Sequence, residues 1–321
     1  MKAELEHRIF NIDSEETFNS VALEVFYYQA ENVPVFREYL NHLKVLPRNI
    51  TSLEEIIYLP IAFFKSHFVN SQSSYDVVFK SSGTGGTRSS HFLFDQEIYK
   101  KSLLKGFTKY FSDVENKLFL GLLPNYLENG DSSLVYMVNE LIKHSNKIEN
   151  HFFLHDNQGL RKIIEKYSDK DIVLFGVSYA LLDFIEEIGT IKNPISIIET
   201  GGMKGRKKEI TKEEVLLQLS KGFPNASIYS EYGMTELLSQ AYAKDNLYKC
   251  PPWMKIFYRD PHDPFVSQKN SGAINIIDLA NLNSCSFIAT DDLGKHNDRG
   301  GFEILGRLDQ SDLRGCNLLI L

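Results

Sequence analysis

The spacing of apolar positions changes character twice along the chain. Over residues 1–70 they recur at three- and four-residue steps, most clearly in Glu15–Ala30 and Pro34–His42, which predicts amphipathic helices. Thr51-Ser52-Leu53-Glu54 reads as a capping box ahead of a further helical piece at Ile56–Leu59. From Tyr75 onward, continuous apolar runs take over and alternate with helical stretches. Tyr75–Phe79, Lys117–Leu123, His151–Leu154, Asp171–Val177, Ile195–Ile198 and Ala226–Tyr229 read as strands. Asp95–Phe111 (capped by Asp95), Ser132–His144, Gly159–Tyr167, Tyr179–Ile188 and Lys212–Leu219 read as helices. Unbroken apolar strands separated by helices predict a mostly parallel sheet covered on both faces. After Pro251 the pattern becomes short runs between turn residues, Ala273–Leu279, Ser286–Thr290 and Gly301–Leu305, which predicts an antiparallel β unit. The expected class is α/β: a helical segment over 1–70, an α/β core over 71–250 and a β-rich part over 251–321.

Composition narrows the class of protein. With 43 % apolar residues in 321, the chain has material for a sizeable core, and 22 Phe and 16 Tyr allow a large apolar pocket. A net charge of -7 argues against a general nucleic-acid binder, whose affinity rests on a basic face. No N-terminal stretch joins basic residues to a long apolar run, and Val21–Tyr28 is interrupted by Glu24 and too short to span a bilayer. Cys250, Cys285 and Cys316 are widely spaced and form no C-x-x-C, which fits a reduced, cytoplasmic setting.

Five polar stretches carry candidate chemistry. Lys80–His91 (KSSGTGGTRSSH) sits between a predicted strand and a predicted helix, with three glycines and six hydroxyl side chains. Glycines let backbone N–H groups approach an anion and hydroxyls add donors, so the loop suits phosphate, although it has neither Walker nor dinucleotide spacing. Glu199–Arg206 (ETGGMKGR) follows a strand, and its paired glycines permit close approach of a flat ligand. In Tyr229–Glu236 (YSEYGMTE), Thr235 and Glu236 are either the cap of a helix or donors to a phosphate and to a hard cation such as Mg2+. Ala289–Gly294 (ATDDLG) is either a β-turn or a carboxylate presented to a ribose. Arg307, in Gly306–Cys316 (GRLDQSDLRGC), is either a surface residue beside Asp309 or a ribose and phosphate donor.

Taken in order, SSGTGGTR, YGMTE, TDDLG and GRLDQSDLRG resemble the successive signatures of adenylate-forming enzymes, the superfamily of acyl-CoA synthetases, luciferases and adenylation domains. Leu122–Tyr136 and ETGGMKGR are most similar to the acyl-protein synthetase family (LuxE-type) within it. The likeness runs from about Ile56 to Cys316. It implies the large α/β domain of such an enzyme, with ATP and Mg2+ as cofactors. Ser81, Ser82, Gly83, Thr84, Gly85, Gly86 and Thr87 would wrap the β- and γ-phosphates. Gly201, Gly202 and Tyr232 would line the adenine, Thr235 would meet the α-phosphate and Glu236 would bind Mg2+. Asp292 would hold the ribose, by register, since the usual Thr-Gly-Asp is Thr290-Asp291-Asp292 here, and Arg307 would support ribose or phosphate. The same resemblance implies a carboxylic acid substrate, fatty in the LuxE-type family, and an acyl acceptor that is a protein thiol or CoA. Cys316 stands where that family carries its own acyl-accepting cysteine. Full-length members carry a further small domain after the hinge signature that brings a lysine, and that domain is expected to be absent here; Lys65, Lys204 and Arg206 are each either the replacement for that lysine or, more simply, a solvated surface cation, and the sequence does not choose among them. A non-catalytic nucleotide- or acyl-binding module is the alternative of a different class.

Overall fold

The computed structural model describes residues 2–81, 87–123, 131–149, 151–153, 156–201 and 210–308. Ser82, Gly83, Thr84, Gly85, Gly86, Gly202, Lys204, Arg206 and Cys316 lie outside these residues. The chain divides into two compact units, one comprising residues 1–102, 235–239 and 246–321, the other residues 103–234 and 240–245.

The first unit opens with helices α1 (Lys2–Ile9), α2 (Glu15–Asn32) and α3 (Pro34–His42). Ser14 caps α2 by accepting from the Thr17 amide, and Pro34 at the first position of α3 uses the one place in a helix where a missing N–H is harmless. The expected helix at Ile56–Leu59 does not form. The capping box closes a single 3-10 turn at Leu53–Glu55, and Pro60 disfavours helical backbone in the residue before it. The chain extends instead as β1 (Leu59–Pro60). A short helix, α4 (Phe63–Ser66), leads to β2 (Val77–Lys80) and β3 (Ser90–Leu93), which pair antiparallel with Lys80 opposite Ser90. The Gly/Ser/Thr stretch therefore joins two paired strands, not a strand and a helix as its sequence suggested. Helix α5 (Gln96–Phe111) follows, its free amide at Glu97 bonded to Asp95 at 2.9 Å.

The second unit is the parallel α/β part. Strands β4 (Lys117–Leu122), β5 (His151–Phe153), β6 (Asp171–Val177), β7 (Ser196–Thr200) and β8 (Ser227–Tyr232) alternate with helices α6 (Ser133–His144), α7 (Asn157–Lys166), α8 (Ser178–Ile188) and α9 (Lys212–Gly222). The sheet order is β5-β4-β6-β7-β8, all parallel, closed by antiparallel β9 (Ala241–Lys244). Every residue of β4 and all but the first of β6 is buried, as expected for strands covered on both faces. Phe107, Phe119, Phe175 and Tyr242 meet in its core, with Phe107 5.5 Å from Phe119 edge to face.

The chain then returns to the first unit with β10 (Leu247–Lys249), β11 (Met254–Arg259), β12 (Ser267–Gln268), β13 (Ser271–Asp278), β14 (Phe287–His296) and β15 (Phe302–Arg307). Here the order is β12-β11-β13-β14-β15-β10, antiparallel throughout, with β1 parallel on β14. Helix α2 packs on this sheet through a cluster of Phe26, Phe36 and Phe287 and through buried Gln29. The Gln29 amide donates to the carbonyls of Asn281 (2.9 Å) and Leu282 (3.0 Å) and accepts from the Ser286 amide (2.9 Å). Those bonds fix the 281–286 loop on which part of the candidate site rests.

Candidate nucleotide and acyl-activation site

In the first unit the segment Thr235–Ser239 is held at every turn. Buried His91, 1 % exposed, bonds the Thr235 carbonyl through Nδ1 (2.9 Å) and Ser284 Oγ through Nε2 (2.9 Å). A carbonyl only accepts, so Nδ1 carries the proton and Nε2 accepts from the serine. Burial pushes the His91 pKa down to about 4, which keeps the ring neutral. Asn281 donates to the Glu236 carbonyl (2.7 Å). The Asp278 carboxylate accepts from the amides of Leu238 and Ser239 (both 2.9 Å), the Ser239 hydroxyl (2.6 Å) and the Ala280 amide (3.2 Å). Trp253 adds its indole N–H to Ser239 Oγ at 2.9 Å.

The backbone of Glu236 is thus fixed, and its side chain is buried at 5 % exposure. No regular helix begins at Thr235 or Glu236, so the capping role drops away. Burial raises the carboxyl pKa; the Ser89 hydroxyl, its own amide and the charges of Arg307 and Lys65 pull the other way. Among the described residues no cation forms an ion pair with it. A buried carboxylate with so few donors, in a positive field, suits a hard cation: Mg2+ is held by one or two carboxylates together with substrate phosphates. No group of three His, Cys, Asp or Glu side chains that could hold a metal ion is found among the described residues.

Asp292 and Arg307 stand opposite each other on β14 and β15, with Arg307 Nε 3.2 Å from Asp292 Oδ1. Neither lies in a turn. Strand β14 runs on through Thr290–Gly294, and register shifts against both neighbours bulge it there. The Asp292 side chain is 13 % exposed and that of Arg307 73 %, so the guanidinium reaches solvent while the carboxylate is largely sheltered. Ser81 and Ser89 close the base of the Gly/Ser/Thr loop. The Ser81 amide donates to the Ser89 carbonyl (3.0 Å), the Ser89 amide to Ser81 Oγ (3.0 Å), and Arg88 donates to the carbonyls of Ser81 and Lys80. Thr87 beside them is exposed. The structure therefore brings Ser89, Glu236, Arg307, Asp292 and Lys65 into one electrostatic neighbourhood, with the ends of the phosphate-loop stretch, Ser81 and Thr87, adjoining Ser89 in the chain.

In the second unit the candidate residues stand at the carboxyl ends of parallel strands, where open α/β sheets bind ligands. Gly201 follows β7 with φ +72°, a left-handed conformation that glycine adopts without strain, and its carbonyl accepts from Ser178. Tyr232 ends β8, half-buried. Two glutamates join them. Buried Glu199 is bonded by Ser178 and paired with Lys212. Glu231, the register partner of Thr200, accepts from the Thr200 hydroxyl at 2.6 Å. Burial raises the Glu231 pKa to about 7, the Thr200 bond opposes that, the Glu199 charge adds to it and Lys212 offsets part.

No protein-family model matches the chain, and no curated protein matches its sequence. Solved structures do match its fold. A 2-hydroxyisobutyryl-CoA ligase in complex with 2-HIB-AMP and CoA superimposes with a TM-score of 0.65 at 14 % identity, over 96 % of this chain and 69 % of that one. The O-succinylbenzoate coenzyme A synthetase of Bacillus subtilis, in complex with AMP, gives 0.53 at 17 % identity over 74 % and 63 %. The amide bond synthetase McbA of Marinactinospora thermotolerans gives 0.53 at 12 % over 73 % and 49 %. The fold is that of the large domain of adenylate-forming enzymes. The chain spans about half to two thirds of the length of these structures.

Within the adenylate-forming fold, several polar positions were not singled out by sequence. His91 closes the loop stretch but offers no local hint of its partner, since Thr235 lies 144 residues on. Asp278, near the end of the predicted run Ala273–Leu279, and Asn281, between two predicted runs, carried no signal of a role in their sequence, DLANLNS. Their neighbours, buried apolar residues on both sides, were the one signal that these polar side chains face inward.

Proposed function

We propose that the chain activates a carboxylic acid with ATP and that the acyl group then passes to a thiol. The observation that supports this best is Glu236, a rigidly held, buried carboxylate with one side-chain donor, next to the Asp292–Arg307 pair and the charge of Lys65. A carboxylate oxygen attacks the α-phosphorus of ATP, the bond to the β-phosphate oxygen breaks, and pyrophosphate leaves. The substrate acid is already ionised at neutral pH, so no general base is needed. The protein's work is to hold two anions together and neutralise developing charge. Mg2+, when bound, supplies Lewis-acid stabilisation of phosphate charge. Glu236 would hold it, with Ser89 orienting the carboxylate. Asp292 would accept from the ribose hydroxyls, Arg307 and Lys65 would face the phosphates, and Ser81, Thr87 and Thr235 would donate to phosphate oxygens. Gly201 and Tyr232 would border the adenine. Ser82, Gly83, Thr84, Gly85, Gly86 and Gly202 keep the roles that the resemblance gives them.

For the second half-reaction a thiolate attacks the acyl carbon and AMP departs. Two of the three cysteines are poorly suited. Cys285 is fully buried with its thiol pushed up to about 12, and Cys250, though partly exposed, is also raised by burial and by Asp278. That leaves Cys316 as the acceptor within the chain, from which a partner protein would take the acyl group. CoA is the second acceptor to test, because the 2-hydroxyisobutyryl-CoA ligase was captured with CoA. Acid-dependent exchange of labelled pyrophosphate into ATP tests the first step across short, aromatic and fatty acids. Hydroxylamine-sensitive labelling of the chain, lost in Cys316→Ser while exchange persists, tests the acceptor. No exchange with any acid would leave a nucleotide- or acyl-binding module in place of an enzyme.

A further inference from the structure

The first unit holds a cavity of about 190 Å3 that the proposed reaction does not use. It lies between the Glu54–Pro60 segment, strands β11 and β13, and the tip of the β11–β12 hairpin. Four aromatic side chains stand around it: Tyr39 from α3, Tyr58, Phe257 from β11 and Phe265 from the hairpin. Lysines lie over ring faces elsewhere in the chain, as Lys101 does over Phe10 at 4.8 Å. Among the described residues none lies over these four rings.

The charged residues of the lining are Glu54, Glu55 and Arg259. The protein itself uses Arg259, which is 8 % exposed. Its guanidinium donates to the carbonyls of Ile274 (2.7 Å) and Thr290 (2.6 Å) and to Asn275 Oδ1 (2.9 Å), where the β13–β14 register shifts. The charge of Asp291, outside the lining, acts on it as well. Glu55 is engaged through one oxygen, which accepts from the amides of Thr51 (2.7 Å) and Ser52 (3.1 Å), while its charge remains on the wall. Glu54 makes no hydrogen bond or ion pair among the described residues. Two carboxylates thus face one guanidinium that already has its partners, and the wall is left negative.

Tyr58 joins Glu54 to the cavity. Burial raises its pKa and the charge of Glu54 adds to that, so the two groups share one neighbourhood. The Tyr58 hydroxyl oxygen is buried with no hydrogen-bond partner, a condition that is uncommon and costly.

These features set the ligand. Aromatic faces and a free carboxylate both attract a cation. A hydroxyl accepts as well as donates, so an N–H would satisfy the Tyr58 oxygen. A hard metal ion does not suit the place, because it wants several oxygen ligands and most of this wall is aromatic carbon. The volume is below the roughly 300–1,000 Å3 of pockets for drug-sized ligands, which limits the apolar part to one ring or a short chain. We propose that this cavity binds a small organic ammonium ion, a protonated primary amine bearing one ring or a short alkyl chain, held by Glu54, Tyr58 and the surrounding aromatic rings.

Benzylamine, protonated at neutral pH, is the probe, and benzyl alcohol is its neutral counterpart of the same shape. Titration calorimetry on the full chain should show saturable binding of benzylamine, at least about tenfold tighter than that of benzyl alcohol and unchanged by saturating ATP. Glu54→Gln alters an exposed residue without partners, so the fold should be unaffected while benzylamine binds about fivefold more weakly or worse and benzyl alcohol binds as before. Phe265→Leu keeps an apolar side chain at a position 59 % exposed and removes one ring, and should weaken benzylamine several-fold. Tyr58→Phe removes an oxygen that bonds to nothing, so its melting temperature should equal or exceed that of the parent while benzylamine again binds several-fold more weakly. No saturable binding up to about 10 mM, equal binding of benzyl alcohol, displacement by ATP, or unaltered affinity in any of the three variants would each overturn the proposal.

Discussion

Asp278 and Glu236 are buried carboxylates of the same unit, and the regions around them differ in how many donors meet them. Asp278 accepts four hydrogen bonds, three of them from backbone amides, and these limit the rise of its pKa to about 6 despite complete burial. Glu236 meets the Ser89 hydroxyl and its own amide. The first carboxylate is satisfied by the fold and fixes the turn at Leu238–Ser239. The second is held in position by that turn, by Asn281 and by His91, yet is left with unmet capacity. Burial of an under-bonded charge costs stability. Keeping one beside a fully bonded one separates a residue that builds the site from a residue that acts in it.

The largest effect should come from breaking the structural member. Asp278→Ala leaves three amides and a hydroxyl without their acceptor and should cost about 4 kcal/mol or more in denaturant unfolding, at about 1–3 kcal/mol for each buried group left unsatisfied. A loss below about 1 kcal/mol would break the comparison.

His91 tests the same clamp through pH. Its folded pKa of about 4 lies below the unfolded value of 6.5, so the unfolded state binds more protons between them. The stability carried by neutral His91 is present above pH 6.5 and is lost as pH falls toward 4, by up to about 3 kcal/mol. Asp278 has the opposite sign. Its raised pKa favours protonation in the folded state, so its contribution falls as pH rises from 3.8 through about 6. The His91 term is therefore read as the difference between the parent and His91→Asn, which should keep both hydrogen bonds and lose the slope. Equal slopes in the two proteins would show that His91 does not titrate in this way.

Two smaller effects sharpen the acting side. Asp292→Ala should raise the KM for ATP by about tenfold or more, the loss of a charge-assisted hydrogen bond, whereas Asp291→Ala should not. The reverse would move the ribose contact by one residue. Lys65→Met removes a charge that lowers the Glu236 pKa, so the acid limb of the pH–rate profile should move to slightly higher pH with little change in the plateau. A profile that stays in place would separate Lys65 from the site.

The parallel unit was legible in sequence because burial on both faces leaves an unbroken apolar run, and Asp171–Val177 is the strand that its sequence predicts. The antiparallel unit was less so. Strand β3, Ser90–Leu93, has four residues and a buried histidine, so nothing in its pattern distinguishes it from the loop before it. Ile56–Leu59 carries apolar residues suited to helix or strand, and Pro60 together with pairing on β14 decided for extended chain. Strand β14 runs through Thr290-Asp291-Asp292 because the bulge and Arg259 satisfy its backbone, which no local reading of a Thr-Asp-Asp turn anticipates. The candidate residues were found as motifs. Their supports, His91, Asp278 and Asn281, were not, because each depends on partners some 40 to 144 residues away.

The division between the two carboxylates is tested most directly by Glu236→Gln, measured for acid-dependent pyrophosphate exchange and for unfolding midpoint on the same preparation. The variant keeps the shape and removes a buried charge, so the midpoint should stay or rise, while exchange should fall about 100-fold or more, the scale of losing one charge-stabilising group in an active site. A variant that exchanges at the parental rate but unfolds at lower denaturant would make Glu236 a structural residue and contradict the account.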